Sequence, residues 1–205
     1  YRCLGHWGDR SNTNIDESLL RSWLQSRGVA DTLINRALHE FTKVAGDSSK
    51  SLYDRNRAVY EMLRYGIKVQ PAAGENHVTV WLIDWHHPQA NDFGVAEEVT
   101  VKGSDLLNAA KAATKRPDVV LYVNGIALGV LELKRSTVSV SEGIRQNLDN
   151  QKKEFIQPFF TTMQWVMAGN DTEGLRYATT ETPEKHWLQW VEADGPHATE
   201  PNLLD

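Results

Sequence analysis

The sequence predicts an α/β fold, a mixed central β-sheet flanked by helices, on three observations. Apolar residues recur at helical spacing through much of the first 65 residues, β-favouring apolar runs dominate from residue 78, and helical segments are interleaved with those runs further on. The chain has 205 residues, 40% hydrophobic and 24% charged, which suits one globular domain able to bury its own core.

The elements follow in order. Residues 14–27 carry Ile15, Leu19, Leu20, Trp23 and Leu24 on one helical face and end at Gly28. A second helix starts at Asp31, turns Leu33, Ile34, Ala37, Leu38 and Phe41 inward and stops near Gly46. Residues 46–51 read as a loop and 55–65 as a third helix through Val59, Met62 and Leu63. Strands are expected over 78–85, 95–101 and 159–168, the last ending in a turn at Gly169 and Asn170. Residues 105–114 read as a short helix, and another is expected around Trp187 and Trp190 before a linker. Trp23, Trp81 and Trp165 lie in apolar periodic segments and are expected in the core. The organisation expected is a helical layer over 1–50, a core over 51–168 and an acidic tail over 169–205.

The most informative stretch is 116–134, Arg-Pro-Asp followed by an apolar run and then Glu-Leu-Lys. Its two β-rich halves meet at Asn124-Gly125, a dipeptide that favours a tight reversal, so it reads as a hairpin. Asp118 and Glu132 are carboxylates among Val, Leu and Ile, and a carboxylate leaves water only if it is paired or holds a cation. An Asp and Glu pair suits Mg2+, which takes a few carboxylate oxygens and completes its shell with waters and phosphate oxygens. Lys134, two residues beyond Glu132, shares its strand face and can orient water or neutralise charge on a reacting phosphate.

Register decides whether this works. A plain two-residue turn at Asn124-Gly125 pairs Val123 with Ile126 and sends Asp118 and Glu132 to opposite faces. The expectation is therefore a three-residue loop of Val123, Asn124 and Gly125 with a bulge, or an equivalent kink elsewhere in the hairpin. A helix should follow, with Ser139 and Glu142 as a capping box, Ile144, Leu148 and Phe155 on its apolar stripe, and Gln146, Asn150 and Lys153 on its polar face. Gln146 can reach the phosphate or the attacking water from there.

Pro117-Asp118, Glu132-x-Lys134 and the following Gln146 resemble the PD-(D/E)xK nuclease superfamily. More of the chain is similar to the N-terminal nuclease region of the restriction (R) subunit of type I restriction-modification enzymes, HsdR. The similarity runs through residues 51–57, 63–67, 82–85, 91–93, 116–135 and 170–177. The resemblance implies a restriction-endonuclease-like core and a type I site-specific deoxyribonuclease that makes double-strand breaks. Asp118 and Glu132 would bind Mg2+, with Mn2+ as a substitute, and Asp118, Glu132, Lys134 and Gln146 would form the catalytic set. It also implies double-stranded DNA and the methylation and specificity subunits as partners. ATP would enter only through a helicase-like motor beyond this region, since the stretch has no Gly-x-x-x-x-Gly-Lys-Ser/Thr phosphate loop. The family carries Gln-x-x-x-Tyr after the Lys; here the Tyr position is Asn150. Some superfamily members add an acidic residue from a preceding helix, for which Glu61 is the candidate. A docking module without cleavage, and a stand-alone repair or junction-resolving nuclease, remain the alternatives.

Composition bounds the rest. Cys3 is the single cysteine, so no disulfide framework exists within the chain, and no apolar span or signal-like segment is evident; a cytoplasmic protein off the membrane is expected. The formal charge of -5 is uneven: residues 102–153 hold nine Lys or Arg against five Asp or Glu, whereas 171–205 hold two against eight. The locally basic stretch contains the hairpin and suits a phosphate-bearing partner. Tyr1 in place of an initiator Met suggests a piece of a longer chain. His39-Glu40 lacks a second His where a metalloprotease helix needs one, His86-His87 reads as loop, and Asp84 as a turn or capping residue.

Overall fold

The computed structural model describes residues 1–103 and 113–191. A seven-stranded mixed sheet forms its centre, built from β1 (Arg2–His6), β4 (Phe93–Glu97), β7 (Val119–Val123), β8 (Ile126–Leu133), β9 (Trp165–Asn170), β10 (Gly174–Ala178) and β11 (Leu188–Gln189) in that spatial order. Two small hairpins, β2 (Ile67–Val69) with β3 (Val78–Val80) and β5 (Val101–Lys102) with β6 (Thr114–Lys115), stand beside it. The helices are α1 (Glu17–Ser26), α2 (Asp31–Ala45), α3 (Leu52–Tyr65) and α4 (Val140–Asn150). No helix among the described residues is long and apolar enough to cross a membrane.

Strand β8 runs parallel to β9, a pairing that needs a crossover, and α4 supplies it. The remaining neighbours are antiparallel, except that β1 lies parallel to β4. Two apolar clusters divide the molecule. The first joins the sheet, through Val120, Tyr122, Ala127, Val130, Val166 and Ala168, to Val140 and Ile144 of α4 and to Phe159 and Phe160. The second gathers α1, α2, α3 and β2–β3 around Leu20, Leu24, Ile34, Phe41, Val59 and Leu63, and meets the turn end of β7–β8 at Ile126.

The α/β class and all three early helices match the sequence reading, and the differences have local causes. Only Val78–Val80 of the expected strand over 78–85 is extended; Asn91 then ties the chain, accepting from the Asp84 N–H (2.9 Å) and donating to the Asp84 carbonyl (2.9 Å). The expected strand over 95–101 falls into two, because Glu98 takes a left-handed φ of 52° between β4 and β5. The strand expected over 159–168 begins only at Trp165 and follows a 3-10 turn, Gln157–Thr161, opened by Pro158; it continues through Gly169 and Asn170, the residues expected to turn. Strands β1, β2, β10 and β11 went unread, being edge or near-edge strands with weak alternation. The helix expected around Trp187 and Trp190 is one 3-10 turn, Glu184–His186, before β11. The helix expected at 105–114 lies mostly outside the described residues, and Thr114 is in β6. Trp23 is buried, whereas Trp81 and Trp165 are about half exposed, contrary to their expected core role.

Candidate active site

The hairpin turn is the plain two-residue one: Val123 pairs with Ile126, and Asn124 and Gly125 both have positive φ, 53° and 85°. The three-residue loop is therefore not used. The equivalent kink is present further along β8, where Leu121 pairs with Gly129 but Tyr122 with Ala127, leaving Leu128 as the extra residue of a bulge. Ala127 and Val130, three residues apart, consequently both enter the first cluster while Leu128 packs against the second. Beyond the bulge Val119 pairs with Leu131, a register that carries Asp118 opposite Glu132.

The turn itself is sealed. Asn124 is fully buried; its Oδ1 accepts from the Asp92 N–H at 2.7 Å, and its Nδ2 donates to the Leu82 carbonyl and to Asn91 Oδ1, each at 2.9 Å. A Cβ on Gly125 would lie 2.7 Å from both the Asp16 carbonyl oxygen and the Leu20 nitrogen, so glycine is needed for contact as well as for φ.

At the other end of the hairpin, Glu132 is also fully buried, but its Oε1 has no hydrogen-bond partner among the described residues. Its Oε2 accepts from Gln146 Nε2 at 2.6 Å, and Gln146 Oε1 accepts from Lys134 Nζ at 2.6 Å. One side chain on α4 thus links the strand carboxylate to the strand ammonium. Asp118 is anchored by the Leu133 N–H, which donates to its Oδ2 at 2.8 Å. Burial first, and then the Asp118 charge, pushes the Glu132 carboxyl up to about 8, against the opposing pull of Lys134 and Lys115.

Helix α4 comes close enough for this because Gly143 faces the sheet, where a Cβ would lie 3.1 Å from Ala168 Cβ and 3.4 Å from Lys134 Cγ. Asn147, beside it, donates to the Met167 carbonyl at 2.8 Å. The expected capping box is replaced. Ser139 accepts from the Ser141 N–H (3.3 Å), Glu142 pairs with Arg145 instead, and Glu173 caps the helix from the β9–β10 turn by accepting from the Val140 N–H at 2.9 Å. Phe155 and Lys153 lie past the end of α4.

A cleft of about 490 Å3 opens beside the pair, lined by Lys115, Lys134, Val138, Glu142, Arg145, Gln146, Asp149 and Asn150. Lys134, Gln146 and Asn150 were singled out from the sequence; Lys115 and Arg145 were not, although both lie in the basic stretch around the hairpin. Glu61 is not brought here: it lies on the exposed face of α3, paired with Arg57 at 3.5 Å. Among the described residues no cluster of three or more His, Cys, Asp or Glu could hold a metal, so any cation here has Asp118 and Glu132 as its charged protein ligands. Asp84 has the expected turn role, accepting from the N–H groups of His86 (3.1 Å) and His87 (2.9 Å).

The mixed sheet, the crossover helix and the acidic pair facing a lysine define an α/β domain of restriction-endonuclease-like fold. The family model for the type I restriction enzyme R protein N terminus matches residues 3–185, and the chain belongs to that family. Membership makes it a restriction-system nuclease region and implies DNA and other subunits as partners in general terms. A search of curated proteins found no match.

Proposed function

We propose that this region is the endonuclease of a type I restriction enzyme R subunit, hydrolysing DNA phosphodiester bonds with Mg2+ to give double-strand breaks. The observation that carries the reading is the buried Glu132 Oε1, left without a partner opposite a second carboxylate. A carboxylate so placed is costly on its own, and a hard dication offsets the cost by neutralising both acids. The residues therefore fit Mg2+, or Mn2+ in its place, with Asp118 and Glu132 as protein ligands. Bound there, the ion supplies Lewis acidity toward the scissile phosphate and the attacking water.

This chain's own side chains do the rest. Gln146 holds Glu132 Oε2 and Lys134 Nζ at fixed positions, so the ammonium is aimed before substrate arrives. Lys134 neutralises charge that builds on the phosphate in the transition state or orients the water. The Leu133 N–H keeps Asp118 directed at the same point. Cleavage in the full protein is coupled to ATP-driven translocation by a motor outside this region, in a cytoplasmic complex with the methylation and specificity subunits on double-stranded DNA.

The test is plasmid cleavage by the full-length subunit assembled with its partners, with ATP hydrolysis recorded alongside. Lys134→Ala should lower cleavage on the order of a hundredfold or more, typical of losing one preorganised charge stabiliser, with ATP hydrolysis retained. Persisting cleavage would mean that Lys134 is structural and the nuclease centre lies elsewhere.

A further inference from the structure

The central sheet is roofed on one side only. Helix α4 is the one helix packed extensively on its strands, against β8, β9 and β10, while α1, α2 and α3 gather around β2 and β3. Strand alternation then sets what the other face displays. Val130, Val166 and Ala168 lie in the first cluster with α4, and Glu132 bonds to Gln146 on that helix, so Leu131, Leu133, Trp165, Met167 and Gly169 turn the opposite way.

Register extends this second face in rows. One row is Val95, Leu121, Gly129 and Trp165; the next is Val119, Leu131, Met167, Tyr177 and Leu188; the third is Leu133, Gly169 and Leu175. Trp190 continues the third row, its N–H donating to the Leu175 carbonyl at 2.8 Å and its ring edge-on to Tyr177 at 5.7 Å. Trp165, Leu133, Leu188 and Trp190 are 56%, 52%, 58% and 50% exposed, with half-buried Val, Leu and Tyr side chains between them. These four alone leave on the order of 400 Å2 of apolar surface open, the size at which a patch marks a contact surface.

Chemistry narrows the occupant. Glu97, beside Val119, extends the second row with a carboxylate, and the rows contain no lysine or arginine among the described residues, so a phosphodiester strand finds no counter-charge there. An α/β sheet buries a face of this kind under helices, so the complement is a helix with an apolar stripe. Its source follows from the family. The chain matches the N terminus of the R protein, which has further regions, and the match runs to residue 185. Leu188, Trp190 and Val191, just past the match, are exposed at the edge strand of the sheet, so the backbone leaves the matched region along this face. A tethered helix reaches such a seat at high effective concentration.

We propose that the bare sheet face seats an amphipathic helix from the region of the R protein that follows this one. The inference rests on membership of the R-protein family and goes beyond the cleavage reading. It also bears on the candidate site. Leu133 stands between Glu132 and Lys134, displays its side chain on the bare face, and donates its N–H to Asp118 at 2.8 Å, so a helix seated on Leu133 braces the strand that carries the reacting groups.

Hydroxyl-radical footprinting of the full-length R subunit, alone and dilute, tests this by mass spectrometry. Trp81 and Trp85, beside α3, are 47% and 45% exposed and serve as controls of the same side-chain type. Trp165 and Trp190 should be oxidised about tenfold more slowly than these, the ratio between half-exposed and fully covered surface. Trp165→Arg should unseat the helix and bring Trp190 up to the rate of Trp81 and Trp85. Leu188→Arg, at the exposed rim, should do the same, so misfolding of one variant does not decide the matter. Oxidation of Trp165 and Trp190 at the control rate in wild type, with no change at Trp190 in either variant, would overturn the proposal. Protection that appears only on adding the methylation and specificity subunits, only on adding DNA, or only as the subunit concentration rises would also overturn it, by assigning the face to another partner or to a second copy. Lys134→Ala should leave the footprint unchanged whether or not it abolishes cleavage, so the helix seat and the nuclease reading fail separately.

Discussion

The two ends of the β7–β8 hairpin bury polar side chains of similar size and treat them in opposite ways. At the turn, Asn124 meets every demand of its amide and Gly125 is pressed against the start of α1. Six residues along β8 from Ile126, about 20 Å at the usual strand rise, Glu132 is buried as completely with one oxygen unpaired and a second carboxyl group opposite. The satisfied end fixes register and couples the sheet to the helical layer. The unsatisfied end holds free energy in reserve for a cation, the pattern in which stability is given up where function needs it. The bulge at Leu128 connects them, because without it the order imposed by the turn would not bring Asp118 and Glu132 to one face.

Opposite responses to mutation should expose that contrast. The largest effect is expected from Gly125→Ala, which forces a Cβ against two backbone atoms at a left-handed φ; thermal unfolding should show a loss of about 3 kcal/mol or more. Asn124→Ala should follow at about 2 to 3 kcal/mol, because the Leu82 carbonyl and the Asp92 N–H lose their partner in the interior. Glu132→Gln should go the other way in metal-free protein at neutral pH and above, raising the melting temperature while eliminating cleavage. If it destabilised the protein as Asn124→Ala does, the two ends would not differ as described. Gln146→Ala, which frees both Glu132 Oε2 and Lys134 Nζ, should lower cleavage by about ten- to a hundredfold with a small stability change, a loss typical of an outer residue that orients metal ligands.

A pH profile sharpens the same comparison. Folding raises the Glu132 carboxyl to about 8 from its ordinary value near 4.5, so the folded chain holds a proton that the unfolded chain has released. The stability contributed by that proton is complete below the ordinary value and is lost as pH rises to about 8. Metal-free wild type should therefore lose stability over this window, and Glu132→Gln should remove that part of the slope. For the same reason Mg2+ binding near pH 7 should release a proton, visible as a dependence of the calorimetric heat on the buffer's ionisation enthalpy.

Much of this is legible in the sequence. Glu132 and Asp118 stood out as carboxylates in apolar strands, and the parity of the Asn124-Gly125 turn required a compensating kink. Its place was not legible, because the bulge depends on Leu128 and Ala127 choosing different cores, a tertiary competition with no local signature. The helical layer is readable from its apolar spacing, whereas β1 draws its stability from β4, far along the chain. Local patterning points to Ser139 and Glu142 as a capping box for α4, yet Ser139 shares the cap with Glu173, 33 residues beyond Val140, and Glu142 pairs with Arg145. Lys115 has no local signal because it meets α4 only across the cleft, which sequence distance conceals.

The central claim is that the unpaired Glu132 carboxylate, opposite Asp118, is held for a divalent ion. Thermal unfolding of wild type and Glu132→Gln with and without Mg2+, in the absence of nucleotide, tests it most directly. The account predicts that saturating Mg2+ raises the wild-type melting temperature and leaves Glu132→Gln, already the more stable of the two without metal, unmoved. An equal Mg2+ response in both proteins, or none in either, would contradict it.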